Sequence, residues 1–171
     1  MQYLKGKKAY LSGPIQFCNG ENWRDIPRKV LVEEFGIDLF DPYADPKQQW
    51  VPILKQAQAD QDLDTIIQVC KAFVRKDLCA VDRADMLIAY LPMKVPTTGT
   101  VHEIINSNNA KKPTLLVTNS TTITDIPLWY FGFIPPTCMF AGWDSLFEYL
   151  REVNRGEHRA NNRWSYTYGD I

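Results

Sequence analysis

Apolar and polar positions along this chain switch between the period of a strand and that of a helix. Lys8-Ala-Tyr-Leu-Ser12 reads as a short strand, ended by the turn dipeptide Gly13-Pro14. A helix is expected from near Asp25, which can cap it, with Pro27 in the first turn. Its buried stripe would be Ile26, Val30, Leu31 and Phe35, and Gly36 closes it. Ile37-Asp-Leu-Phe40 is a second strand, followed by the Pro-bounded loop Asp41-Pro-Tyr-Ala-Asp-Pro46. Residues 47–60 give an ambiguous pattern that accommodates a short helix from Trp50 to Gln58. From about Asp62 to Arg83 the spacing of Ile66, Cys70, Phe73, Val74, Leu78 and Val81 is helical. Beyond it come a strand over 85–91, a helix from about Thr100 to Asn108, and a strand from Pro113 to Val117. A polar loop spans Asn119 to Asp125. Cys138-Met-Phe140 could form a last strand, and a final helix runs from about Asp144 to Val153. The tail from Asn154 to Ile171 is polar but carries Trp164, Tyr166 and Tyr168.

Strands alternating with helices predict an α/β fold: a doubly wound parallel sheet of about five strands with helices on both faces. At 171 residues one domain spanning 1–171 is the expectation, with no internal repeat or linker. In the flavodoxin-like strand order the first and third strands are neighbours, and ligands bind beyond their carboxyl ends. That order sets the Ser12-Gly13-Pro14 turn beside the Pro92–Thr100 loop. The segment Asp85-Met-Leu-Ile-Ala-Tyr-Leu-Pro92, then Thr97-Thr-Gly-Thr-Val-His-Glu103, is the most informative of the chain. It reads as strand, loop, and a helix that opens with a carboxylate, the arrangement of a small-molecule site.

Composition narrows the partners. A net charge of −1 offers no basic footprint for nucleic acid. No apolar run approaches the roughly 18 residues of a membrane span, and the first residues lack a signal-peptide core. Cys18, Cys70, Cys79 and Cys138 show no ligand spacing and read as reduced core thiols of a cytoplasmic protein. His102-Glu103 would need a histidine at 106 to suggest zinc, where Asn106 stands, so no metal is expected. The glycine patterns of dinucleotide, P-loop and serine-hydrolase sites are absent.

Two carboxylates are the candidates for chemistry. Glu103 lies off the Val101, Ile104, Ile105 stripe and should point toward the loop end of its helix. There the helix dipole favours the ionised form that a nucleophile needs. The same spacing, Thr100-x-x-Glu103, also fits a capping box. Asp77 falls on the Cys70, Phe73, Val81 line, where a carboxylate needs a partner or a pocket, and desolvation would suit it to donate a proton. The alternative is a stripe-edge residue paired with Arg75 or Arg83. Asp41, Asp45, Asp82 and Asp85 read first as turn, cap or pairing residues. Tyr10 could bring a hydroxyl to the cleft or merely pack.

In this order, several segments resemble the nucleoside 2-deoxyribosyltransferase family. They are Tyr10-Leu-Ser-Gly-Pro-Ile15, Asp41-Pro-Tyr43, the run Asp77 to Tyr90, Gly99-Thr-Val-His-Glu103, Lys112-Pro-Thr-Leu-Leu-Val117 and the aromatic C-terminus. The resemblance implies a flavodoxin-like fold, no cofactor, and a dimer-based homo-oligomer, up to a hexamer, whose sites are completed by a neighbouring subunit. It makes Glu103 the nucleophile, Asp77 the acid/base residue near the nucleobase, and Tyr10 the group that steadies the nucleophile. Substrate contacts would come from Ser12, Gly13, Pro14, Asp41, Thr97, Thr98 and Gly99. Tyr166 or Tyr168, in the 154–171 tail of the adjacent chain, would reach the sugar. The implied substrates are a 2′-deoxynucleoside and a free nucleobase, in nucleobase salvage. Many members carry an aspartate a few residues before the nucleophile, where this chain has Thr97 or Thr98. The Gly-Pro-Ile turn and the hydroxyls before Gly99 also resemble related nucleotide N-glycosidases, which bind a 5′-phosphate. Hydrolysis of a nucleoside 5′-monophosphate is therefore one alternative, and a non-catalytic nucleotide-binding module is another.

Overall fold

The computed structural model describes residues 2–15, 22–158 and 163–164. Five strands form one sheet: β1 (Lys8–Ser12), β2 (Asp38–Phe40), β3 (Met86–Leu91), β4 (Thr114–Thr118) and β5 (Met139–Ala141). All pairings are parallel and the order is β2-β1-β3-β4-β5, the flavodoxin-like arrangement. The helices are α1 (Asp25–Glu33), α2 (Val51–Ala59), α3 (Leu63–Arg83), α4 (Thr98–Asn109) and α5 (Trp143–Arg155). Right-handed crossovers dictate their placement. The chain steps from β1 outward to β2, then back past β1 to β3, so α1 and the α3–α4 pair cover opposite faces. α5 lies with α1, to which it is tied by Arg151 and Glu34 (2.6 Å), while α3 packs on α4.

Burial follows strand position. β4 is buried throughout and β3 at every residue but Tyr90, as expected of central parallel strands covered on both faces, whereas the edge strand β2 is not fully buried. Tyr10, Leu11, Met86, Ile88, Leu115 and Leu116 form the centre of the core.

The observed elements depart from the expected ones in ways that have local causes. Arg24, not Asp25, precedes α1, and Asp25 stands in its first turn, hydrogen-bonded by Asn22. Of the expected stripe, Leu31 and Phe35 are buried in the core and Val30 packs against it, while Ile26 is exposed and Pro27 takes the inward position. The ambiguous 47–60 region resolves into a 3-10 turn, Pro46–Trp50, capped by Asp45, and then α2. In α3, Val69 and Val81 are buried and Val74 is exposed. Cys79 is exposed and Cys70 half-buried; of the described cysteines only Cys138 is a core residue.

The tail beginning at Asn154 does not leave the chain at once. Asn154 and Arg155 complete α5, and Gly156 ends it in the left-handed conformation. Trp164 is fully buried in this chain's own core, its indole N–H donating to the Tyr149 hydroxyl (2.8 Å). Tyr166 and Tyr168 lie outside the described residues.

Candidate functional site

Strand β1 and helix α4 meet at one buried carboxylate. α4 begins at Thr98, two residues before the expected start, which puts Glu103 in the second turn rather than the first. Glu103 shares the inward face with Thr100, Ile104 and Ser107, while Val101 and Ile105 point outward. The expected orientation toward the loop end is thus corrected: the side chain faces the sheet. It is not a capping residue either, since both its oxygens are taken by β1. The Tyr10 hydroxyl donates to Oε1 (2.7 Å) and the Ser12 hydroxyl donates to Oε2.

Burial decides the ionisation of this group. Desolvation pushes the Glu103 carboxyl above its ordinary value, against the opposing hydrogen bonds from Ser12 and Tyr10. The nearby charge of Asp77 adds to the rise and that of Lys47 offsets it. The helix dipole, which fades within the first turn, does not govern here. Tyr10 behaves in parallel. Burial, then the charges of Glu103 and Asp77, drive its phenol far above the ordinary range, so it stays protonated and acts as a donor.

Asp77 comes from α3 into the same neighbourhood, close enough for its charge to act on both Tyr10 and Glu103. Its partner is neither Arg75 nor Arg83 but Lys47, whose ammonium contacts Oδ1 and lies 5.5 Å from the centre of the Phe73 ring. Lys47 is a buried lysine, missed by sequence reasoning because it sits in a polar turn with no periodic signal. The turn is fixed by a parallel contact close by: Asp45 accepts from the Lys47 backbone N–H (2.8 Å) and from the Lys76 ammonium (2.6 Å). Although burial works against it, these bonds hold the Asp45 carboxyl below its usual value.

The Ser12-Gly13-Pro14 turn is clamped by Arg24, a second residue the sequence did not flag. Its guanidinium donates to the Gly13 carbonyl (3.0 Å), the Pro14 carbonyl (2.9 Å) and Asp41 Oδ1 (3.1 Å). Asp41 is buried and also accepts from the Tyr43 N–H (2.9 Å), while its Oδ2 has no hydrogen-bond partner among the described residues. Beside the turn, Trp23, Tyr90 and Trp143 form an aromatic stack, with ring centres 4.7–5.8 Å apart. Arg24 lies over the Trp23 ring at 4.0 Å.

The structure therefore brings together Tyr10, Ser12, Asp77 and Glu103, with Gly13, Pro14 and Asp41 along one border. Thr97 precedes α4 without making a side-chain cap, and Thr98 and Gly99 lie on its first turn, away from the buried face. Thr97 faces an apolar recess of about 510 Å³ lined by Val101, Ile105, Trp129 and Phe133, on the opposite side of α4 from Glu103. Among the described residues, no three His, Cys, Asp or Glu side chains gather as a metal would require. Nor is any described helix long and apolar enough to cross a membrane.

Fold and site together define a flavodoxin-like α/β protein with a carboxylate pair at the carboxyl edge of its sheet. A 2-deoxyribosyltransferase from the psychrotolerant bacterium Bacillus psychrosaccharolyticus shares this fold. The two superpose with a TM-score of 0.56 at 22% identity, over 83% of this chain and 91% of that one. A CMP N-glycosidase from Clostridium botulinum matches more loosely, with a TM-score of 0.44 at 16% identity over 87% of this chain and 99% of that one. The family that the sequence motifs resemble is thus represented among the structural neighbours of the chain. No protein-family model matches the sequence, and no curated protein matches it.

Proposed function

We propose that this protein transfers the 2-deoxyribosyl group between nucleobases of 2′-deoxynucleosides through a covalent glycosyl intermediate on Glu103. The observation that carries the reading is the buried Glu103 carboxylate, gripped by the Tyr10 and Ser12 hydroxyls, with Asp77 beside it. In the first step a Glu103 oxygen bonds to C1′ as the bond from C1′ to the base nitrogen breaks. The electron pair leaves with the base, and Asp77 supports it by hydrogen bonding or by delivering a proton. In the second step the nitrogen of an incoming base attacks C1′, Glu103 departs as carboxylate, and the proton returns. This is the retaining logic of two-carboxylate glycosidases.

Both hydroxyl donors serve this cycle. They hold the carboxylate in one orientation, which lowers the entropic cost of attack. They also stabilise it as a leaving group in the second step. A desolvated carboxylate is a stronger electrostatic partner for the positive charge that develops at C1′. The 2′-deoxy sugar lacks an electron-withdrawing hydroxyl, so that charge forms more readily. Ser12 spends its hydroxyl on Glu103, and Arg24, Lys47 and Lys76 are each already paired with an aspartate. Among the described residues, these commitments favour a nucleoside over its 5′-phosphate.

Incubation with a 2′-deoxynucleoside, with and without a second free base, tests the proposal. Exchange of base, with a mass increase of one deoxyribosyl group on the peptide containing Glu103, is the expected result. Release of free sugar regardless of acceptor would make the protein a hydrolase instead. Turnover of 5′-monophosphates alone would remove the nucleoside reading. Ligand binding without turnover, unchanged in Glu103→Ala, would leave a binding module.

A further inference from the structure

The site contains a buried cation that the glycosyl-transfer scheme does not use. Lys47 is almost wholly buried, lies near the Phe73 ring, and places its ammonium on Asp77 Oδ1. Its location is built rather than incidental. Asp45 and Lys47 flank Pro46 at the start of the 3-10 turn, and Lys76 and Asp77 are consecutive on α3. The two ion pairs, Asp45 with Lys76 and Lys47 with Asp77, pin the turn to the helix directly beside the carboxylate pair. We propose that Lys47 is a positioning residue: its ammonium on Oδ1 fixes the Asp77 side chain toward the leaving base, where Asp77 gives its proton to the departing base and takes one back from the incoming base.

Physical necessity supports the assignment. The groups acting on Asp77 are Lys47 from the turn, Tyr10 from β1 and Glu103 from α4. Tyr10 is neutral and Glu103 is an acid, so Lys47 supplies the only positive charge of this set. Its contact with Oδ1 ties the Asp77 side chain to the turn. With Lys47 in place, the Asp77 side chain keeps one orientation through both half-reactions. Without it, the Asp77 carboxyl is free to turn away from the base, and proton exchange would fall out of step with attack. The assignment rests on the glycosyl-transfer reading only for what the proton is used for; the Lys47–Asp77 coupling can be measured without it.

The experiment is a set of variants of the full chain, Lys47→Met, Lys47→Arg, Asp77→Asn and Lys47→Met/Asp77→Asn, read by base exchange and by carbon NMR of ¹³C-labelled aspartate carboxyls. Lys47→Met, which removes the cation from Asp77 Oδ1, is expected to move the measured Asp77 midpoint upward. It should also lower kcat/KM for base exchange by at least about tenfold near neutral pH, within the span of acid–base contributions. Lys47→Arg, which keeps the charge and guards against a folding failure of the methionine variant, should restore most of the wild-type midpoint. In the Asp77→Asn background, adding Lys47→Met should cost little more. An Asp77 midpoint unchanged by Lys47→Met, or a full additional loss on top of Asp77→Asn, would overturn the assignment. If the midpoint moves but the wild-type protein cleaves no nucleoside, the functional reading fails and the coupling stands.

Discussion

Replacing Glu103 with glutamine separates a functional carboxylate from a structural one, because the two roles predict opposite changes in stability. The glutamine side chain has nearly the same shape. Its carbonyl can accept from one of the two hydroxyls, and its amide can donate to the oxygen of the other, so hydrogen bonding survives. What disappears is a desolvated negative charge beside Asp77. The sign follows from linkage. Burial raises the folded-state proton affinity of Glu103 above that of the unfolded chain, so the folded protein holds more protons across that interval. The stabilising contribution of protonated Glu103 is complete below the unfolded glutamate value and is lost as pH rises through the elevated folded one. Each tenfold rise in proton affinity corresponds to about 1.4 kcal/mol, and about 1 kcal/mol moves Tm by 2–4 °C in a chain of this size. Glu103→Gln should therefore match the wild type in acid and exceed it in Tm at neutral and alkaline pH, by about 3–6 °C for each tenfold rise in proton affinity. Base exchange should fall by at least about a thousandfold, as for other lost nucleophiles. Thermal melts across a pH series, paired with the exchange assay, read both effects. A variant less stable than wild type at every pH would mark Glu103 as an anchor of the fold, and retained exchange would deny it the nucleophile's part.

Other perturbations probe the surrounding supports. Tyr10→Phe removes one hydrogen bond to a charged acceptor, worth about 1.5–3 kcal/mol, and should move the acidic limb of the kcat/KM profile to higher pH; an unmoved limb would show that Tyr10 does not tune Glu103. Arg24→Met strands the buried Asp41 carboxylate at a cost of about 3–5 kcal/mol, lowering Tm by about 6–20 °C. Adding Asp41→Asn should recover much of that loss in the same melts. Gly13→Ala would drive a methyl into the Trp23 ring, so the aromatic stack must shift. A loss of about 1–3 kcal/mol and an altered near-ultraviolet circular dichroism spectrum are expected; an unchanged spectrum would contradict the packing described.

How much was legible without coordinates depended on whether a feature is local or nonlocal. The five strands, the helix over 63–83 and the turn at Gly13-Pro14 were readable because hydrophobic period and turn chemistry act between near neighbours in the chain. Motif order likewise drew attention to Tyr10, Asp77 and Glu103 as a group. Tertiary structure alone decided how they meet. Glu103 was read as an end-of-helix carboxylate, yet burial against β1, 93 residues away in sequence, supplies both its hydrogen bonds and its raised proton affinity. The partner of Asp77 is 30 residues away, in a turn whose sequence carries no periodic mark, and Arg24 reaches Asp41 across a similar break. Propensity and periodicity belong to contiguous segments and can be read along the chain. Desolvation and ion pairing depend on which segments the packed sheet sets side by side, so they emerge only once the strands have taken their order.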